Sequence, residues 1–535
     1  MTAESAPRPE LVPVPVAAPA HASMPAPRDL EPLAALPLAL LALLKLAVQL
    51  AAIPRYGYFR DELYYLACAD HPALGYVDQA PLSIWILAAA RPILGTSLFG
   101  LRLLPALAGV ATVVIAGLIA RELGGGRAAQ TLAGLAAIVS PIYLALDHYY
   151  SMNAFDLLVW SGAFWILARF ARTRDPRLWI PLGLLLGAGL LNKISVLWLG
   201  AGIAAGLALT AHRRVLLTKG PWIAAALSLA LFAPHLLWQA VNGAPTLEFM
   251  RNAAAHKMAA VSIAGFLASQ VLDMNPLLAP LWIGGLVWLL VAKRARHARI
   301  LGVVYLTVLG VLLFLGRSRA YYLTLAYPPL LAAGAVAWER LTRRRGLGWT
   351  RPALLVLLLA SGILMAPLAL PLLPVESYIR YAKALGVAPK TEERQELGEL
   401  PQHYADMFGW EELADAVARA YRSLPPEDRA RCSVFAQNYG EAGAIDFFGR
   451  ARGLPRALSG HNSYWMWGPG DATGEVMIVV GGDLEDNREV FEELEQVDLV
   501  KCALCMPYER DMPVYVGRRL KKPLRALWPE LKRYI

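Results

Sequence analysis

Cysteine and charge are both scarce in this chain. Four Cys in 535 residues are too few for a disulfide-built fold. The 17% share of charged residues falls below the roughly one-quarter usual in soluble proteins. No Gly-Lys-Ser/Thr follows Gly124-Gly125-Gly126, so that stretch reads as a turn and not as a nucleotide loop. No internal repeat of roughly 20–50 residues is present, which excludes a solenoid. His148 has no second ligand at a useful spacing, which argues against a His-based metal site.

Apolar residues are abundant instead, at 57% of the chain, and they lie in long runs between Leu33 and Leu373. A membrane-spanning helix needs about 20 such residues, because the hydrocarbon is about 30 Å thick and a helix rises 1.5 Å per residue. Runs that qualify begin near Leu33, Leu103, Ala128, Ala154, Trp179, Ile194, Trp222, Leu277, Leu301, Tyr321 and Ala353. The expectation is a polytopic α-helical membrane protein of about 11–13 spans. Leu82–Leu94, with Arg91 lying between Pro81 and Pro92, is expected to lie at the interface. Residues 1–30 are Ala- and Pro-rich and read as a disordered cytoplasmic extension. They lack the basic start of a cleavable signal, so the first helix is expected to remain as an anchor.

Lys and Arg in short loops set orientation. Alternate loops hold Arg121/Arg127, Arg172/Arg174/Arg177, Arg213/Arg214/Lys219, Lys293/Arg294/Arg296/Arg299 and Arg340/Arg343/Arg344/Arg345/Arg351, and these are expected in the cytoplasm. The net charge of +10 is therefore mostly a topology signal and does not indicate a nucleic-acid surface. The tail, 374–535, is expected outside as an α/β domain, following a membrane domain over 31–373. Glu411–Tyr421 and Arg488–Leu494 read as helices, and Ser433–Ala436, Glu475–Val480 and Pro513–Val516 as strands.

Topology does not ask for the outward cations Arg55, Arg60, Lys193, Arg251, Lys257, Arg317 and Arg319. On the same side stand Asp61, Glu62, Asp70, Asp78, Asp147, His148, Asn153 and Asp156. Ionisable groups at membrane depth are costly and point to function. Asp61 and Glu62 open a short helix expected to lie along the outer surface; acidic residues also cap helices, so capping and catalysis or metal binding are both open there. Asn153 is a candidate cap for the following crossing, with Asp156 one turn inside it. Lys193, Arg317 and Arg319, the last two preceding Tyr321 and Tyr322, suit an anionic ligand such as a phosphate; snorkelling to lipid head groups is the alternative. Cys502-x-x-Cys505 reads as a disulfide or two free thiols. Tyr464, Trp465 and Trp467 form either a saccharide-stacking surface or a core patch.

These features together resemble the GT-C integral-membrane glycosyltransferases, in the branch of protein O-mannosyltransferases and lipid A aminoarabinose transferases, the glycosyltransferase family 39-like group. The resemblance is carried by Arg60-Asp61-Glu62, Tyr76-Val77-Asp78-Gln79-Ala80-Pro81-Leu82, Asp156, Gly187-Ala188-Gly189-Leu190-Leu191-Asn192-Lys193, Arg319-Ala320-Tyr321-Tyr322-Leu323 and Tyr327-Pro328-Pro329. In the tail, Asn438-Tyr439-Gly440-Glu441-Ala442 and Ser459-Gly460-His461-Asn462 look like bacterial members. The resemblance implies transfer of a sugar from a polyprenyl-phosphate carrier to an acceptor on the outer face of the cell (inner) membrane, with inversion. It makes Asp61 the candidate base, with Glu62 and Asp156 as further acids. Lys193, Arg317, Arg319, Tyr321 and Tyr322 become candidate donor-binding residues, and Tyr58, Asp78, Gln79 and His148 candidate acceptor contacts. Where aminoarabinose transferases carry a Lys just before the Pro, this chain has Gln79 and Ala80. The expected partners are a polyprenyl-linked sugar, a lipid, glycan or protein acceptor and membrane lipids, without nucleic acid. No cofactor is assigned, and a divalent cation beside Asp61 and Glu62 is left open. A transporter or flippase of lipid-linked sugars is the reading from another class.

Overall fold

The computed structural model describes residues 30–316, 318–344 and 346–535. The expected extension (1–29), Arg317 and Arg345 lie outside the described residues.

The membrane part is a bundle of helices. In chain order they are α1 (Ala35–Ala52), α2 (Arg60–Ala69), α3 (Leu82–Leu94), α4 (Leu98–Glu122), α5 (Arg127–Ile138) and α6 (Pro141–Leu146). Then follow α7 (Met152–Thr173), α8 (Trp179–Asn192), α9 (Val196–Leu209), α10 (Lys219–Val241) and α11 (Pro245–Asn252). The last are α12 (Ile263–Asp273), α13 (Ala279–Val291), α14 (Arg299–Leu315), α15 (Pro328–Arg344) and α16 (Thr350–Ala369). Each of the apolar runs read from the sequence is a helix. Among the described residues six are long and apolar enough to cross a membrane, or up to eight if two bent pairs each count as one span. The runs at Ala128, Trp179 and Ile194 give helices of 12, 14 and 14 residues, about 18–21 Å long and short of the hydrocarbon thickness. The chain is a multi-pass membrane protein.

Small residues let these helices approach. Gly183 and Gly187 of α8 abut Ala224 and Ser228 of α10, and Gly202 and Gly206 of α9 abut Val304 and Ile300 of α14. Close packing of this kind holds helices together where no hydrophobic force separates protein from lipid.

The tail carries a five-stranded sheet in the order β2-β1-β3-β5-β4. Its strands are β1 (Cys432–Ala436), β2 (Ala457–Leu458), β3 (Val476–Val480), β4 (Phe491–Val500) and β5 (Met512–Leu520). β1 pairs in parallel with β2 and β3; β5 is antiparallel to β3 and β4. The helix expected over Glu411–Tyr421 runs Trp410–Ser423. The one expected over Arg488–Leu494 is corrected: a short helix covers Leu484–Val490, and from Phe491 the chain is strand β4. Phe491, Leu494 and Val497 satisfied a helical spacing, but Phe491 packs into the apolar layer under β3 and β5, and pairing with β5 decides the conformation.

The short helix α2, expected along the outer surface, is covered by protein. From Glu62 to Ala69 every residue is buried, because a helix of the sheet domain (Tyr439–Phe448) packs on it, with Gly443 against the Leu63 backbone and Gly440 against Arg60.

Candidate active site

Asp61 and Glu62 are neighbours in sequence with opposite surroundings. Glu62 is fully buried; Arg102 donates to it through Nε at 3.0 Å and Nη2 at 2.8 Å. The backbone N–H groups of Phe59 and Tyr150 each donate at 2.9 Å. Two oxygens accepting four hydrogen bonds, two of them charge-assisted, leave no position for a reacting proton or a metal. Glu62 thus caps α2 and pins its start to α4, the capping role that the sequence left open beside catalysis. Asp61, one residue earlier, has a side chain 35% exposed. The Tyr439 hydroxyl donates to Asp61 at 3.0 Å, and Arg60 Nε lies 3.9 Å away.

Around Asp61 stands a set of charges that sequence motifs alone did not reveal. Arg60 donates from Nη1 to the Tyr508 hydroxyl at 2.8 Å, and its Nη2 lies 3.4 Å from buried Asp406. Arg319 donates to Glu393 at 2.8 Å, and Lys257 reaches the same carboxylate at 3.6 Å. The backbone brings them together, since Ala259 N–H donates to Glu392 O and Arg394 N–H to Lys257 O. Burial opposes ionisation of Glu393, but Lys257, Arg60 and Arg319 outweigh it and hold the carboxyl at about 2. Burial pushes Glu392 up to about 7 despite Arg319. Glu393 and Asp406 were legible only as unremarkable acids of a soluble tail; what marks them is a partner far away in sequence.

The third group lies at the break between α8 and α9. Lys193 donates to Asn153 Oδ1 at 2.7 Å, stands 3.9 Å from Asp156 and lies 4.7 Å over the Tyr322 ring and 5.9 Å over that of Tyr321. Asp156 is buried and accepts from the Ser195 hydroxyl at 2.7 Å. The cap of α7 is Ser151, which accepts from Asn153 N–H at 3.2 Å; Asn153, expected as the cap, turns its carbonyl to Lys193 instead.

Asp61 has no ion pair with Lys193 or Arg319 among the described residues; its one cation partner there is Arg60. Tyr149, stacked on Phe59 at 4.2 Å, lies in the field of both Asp61 and Arg319, and Lys257 in that of Asp61, Glu393, Arg60 and Arg319. Asp61 and Arg319 thus share one group through Tyr149 and Lys257, and Lys193 with Asp156 forms a second that meets it at Tyr321, which lies under Lys193 and in the field of Arg319 and Tyr149.

The other expected residues are placed less openly. Tyr58 donates to the Thr96 carbonyl at 3.0 Å and packs on Phe447 and Phe448. Gln79 is buried near Cys68, and His148 is buried with Nε2 3.3 Å from Arg102. These three are parts of the scaffold; burial and the adjacent guanidinium keep His148 neutral. Asp78 accepts from the Tyr64 hydroxyl at 2.9 Å and from Asn462 at 3.4 Å, and burial lifts its carboxyl to about 6. Trp465 is tied to Trp528 in a core patch, whereas Trp467 stacks on His71 at 4.0 Å and lines, with Tyr464 and Arg456, a cavity of about 560 Å³. Among the described residues no three His, Cys, Asp or Glu side chains could hold a metal.

Residues 78–238 match the family model of dolichyl-phosphate-mannose-protein mannosyltransferase. No curated protein matches the sequence. Among solved structures, the chain is similar to ArnT from Cupriavidus metallidurans bound to undecaprenyl phosphate, at 14% identity over 90% of this chain and 97% of that one, with a TM-score of 0.59. The apo state of the same protein gives 0.60 at the same identity and coverage. The chain has the GT-C fold. An oligosaccharyltransferase from Archaeoglobus fulgidus tethered with an acceptor peptide shares the GT-C architecture at 14% identity and a TM-score of 0.50, over 79% of this chain and 63% of that one. At these identities the likeness is one of fold. The matched segment 78–238 includes Asp156 and Lys193 but begins after Asp61.

Proposed function

We propose that the chain is a membrane glycosyltransferase that moves a sugar from a polyprenyl-phosphate carrier to an acceptor hydroxyl, with inversion, at the outer face of the membrane. The observation that carries this reading is Asp61: a part-exposed carboxylate set among Glu62, Asp406 and Glu393, which are all buried. An acceptor hydroxyl is a weak nucleophile until its proton can pass to a positioned base during attack, and Asp61 is that base. Lys193 is the cation for the leaving phosphate, kept ready by Asn153, Asp156 and the Tyr322 face. Arg319, now on Glu393, exchanges a carboxylate for the phosphate as charge develops there. A single displacement between base and cations inverts the anomeric carbon. Asp78, with its raised carboxyl, and Tyr149 border the acceptor side. The matched mannosyltransferase family and the undecaprenyl-phosphate-bound relative support a polyprenyl donor.

The test is transfer of radiolabelled sugar from membrane-extracted polyprenyl phosphates by protein in detergent micelles. Asp61→Asn should lose transfer by at least about a hundredfold, the lower end of what general base catalysis contributes, while melting as the wild type does. Retained transfer in that variant removes the assignment.

A further inference from the structure

Cys502 and Cys505 lie in the connection between β4 and β5, and neither has a part in the proposed transfer. The Cys505 N–H donates to Cys502 Sγ at 3.1 Å, and Cys505 Sγ reaches Cys502 O at 3.0 Å. Cys502 is part-exposed and Cys505 is buried. Gly409, immediately before the helix Trp410–Ser423, comes so close that a Cβ there would stand 3.0 Å from Cys502 Sγ. A sulfur at a helix N-terminus is favoured as thiolate. The adjacent Cys505 side chain, with the Cys505 N–H, holds Cys502 down at about 7, while the Cys502 side chain together with burial raises Cys505. An exposed thiolate with a buried partner three residues on is the arrangement thiol–disulfide exchange requires.

The same connection reaches the candidate site. Met506 is buried in one cluster with Phe59, and the Tyr508 hydroxyl accepts from Arg60, the residue before Asp61. We propose that Cys502 and Cys505 form a reversible disulfide that fixes the connection carrying Tyr508 and so positions Arg60 beside Asp61. In the oxidising step the Cys502 thiolate attacks one sulfur of an external disulfide and releases the other as a thiolate. Cys505, giving its proton to water, then displaces the external sulfur and closes the Cys502–Cys505 bond. The two thiols lose two electrons and two protons, and the external disulfide leaves as two separate thiols. Tyr508 acts as a positioning residue, and that part of the proposal rests on Asp61 being the base.

The experiment equilibrates the full chain in micelles with mixtures of glutathione and glutathione disulfide, traps free thiols with a maleimide and weighs the peptide holding both cysteines. The peptide should take two maleimides when reduced; when oxidised it should take none and weigh two hydrogens less. Cys68 and Cys432, both buried, serve as controls. Two maleimides at every ratio, or a stable glutathione adduct on Cys502, overturns the disulfide. Reduction should slow sugar transfer about three- to tenfold, the worth of one hydrogen bond, mainly in kcat. Tyr508→Phe and the Cys502→Ser/Cys505→Ser double variant should both be slow at every ratio. Equal transfer in both redox states overturns the positioning part. No transfer in either state counts against the Asp61 base, and the mass result still decides the disulfide.

Discussion

The two ends of α4 treat charge differently. At its C-terminal end Glu122 pairs with Arg172 at 2.6 Å, and Glu339 accepts the Gly126 N–H at 2.7 Å while pairing with Arg343 at 2.9 Å. Those ions cap helices and tie neighbours, and they are matched close by. At the N-terminal end, beyond Arg102, the partners come from the first loop and from the sheet domain hundreds of residues away. Asp61 is left part-exposed, and buried Asp406 keeps both oxygens without a hydrogen bond. Buried polar groups are ordinarily satisfied, and a buried carboxylate with both oxygens unbonded next to a part-exposed one is where the proposed chemistry would be held available. One end staples helices together; under the proposed function the other is where the reaction would run.

That contrast breaks most visibly at the adjacent acids. Glu62→Ala strands Arg102, fully buried, without its carboxylate. Removing one partner of a buried pair costs about 3–5 kcal/mol, enough to unfold most of the protein or to lower its melting temperature sharply. Asp61→Asn, one residue away, should melt as wild type and fail only in transfer. Thermal melts of both variants in micelles decide this, and equal destabilisation would erase the distinction between anchor and base. Lys193→Met comes next. Loss of a charge-assisted hydrogen bond of about 1.5–3 kcal/mol should reduce transfer roughly ten- to hundredfold, with the donor KM raised if the contact forms before the transition state. An unchanged donor dependence would take Lys193 out of the phosphate site.

The sequence made one half of this contrast readable and hid the other. Long apolar runs declare helices because lipid demands internal backbone satisfaction, and each run proved helical. Asp61, Lys193 and Arg319 stood out because no topology rule needs a charge there. Glu62 carried the same signal with capping left open, and its pairing was not readable, since Arg102 sits forty residues on, inside an apolar helix, and nothing local announces the pair. Glu393, Asp406 and Tyr508 were silent for the same reason. Their meaning comes from the sheet domain folding back onto α2, a long-range contact that composition and periodicity do not encode. β4 was misread because its apolar spacing fits a helix as well as a strand, and only β5 distinguishes them.

Glu393 sharpens the comparison through pH. Its carboxyl sits at about 2, below the ordinary 4.5. A depressed carboxyl contributes stability that is complete above the unfolded value and is lost as pH falls from about 4.5 toward about 2. The full contribution is about 3 kcal/mol. Wild-type melting temperature should therefore fall between pH 5 and pH 3 more steeply than that of Glu393→Gln. Parallel curves would mean that Lys257 and Arg319 do not depend on this acid for their placement.

The smallest effect belongs to the opposite end. Arg343 is more than half exposed and pairs with buried Glu339 one helical turn away, and helical pairs at that spacing with an exposed partner are worth about 0.3–0.5 kcal/mol. When Arg343 is removed, the Glu339 carboxylate stays buried but keeps the Gly126 N–H as a donor. Its melting temperature should shift by no more than a degree or two and its transfer rate should not move, whereas Lys193→Met removes a cation of the same sign at the other end and stops most of the reaction. A strong activity loss in Arg343→Ala would show that charge at this end does more than staple, and the division between the two ends of α4 would no longer hold.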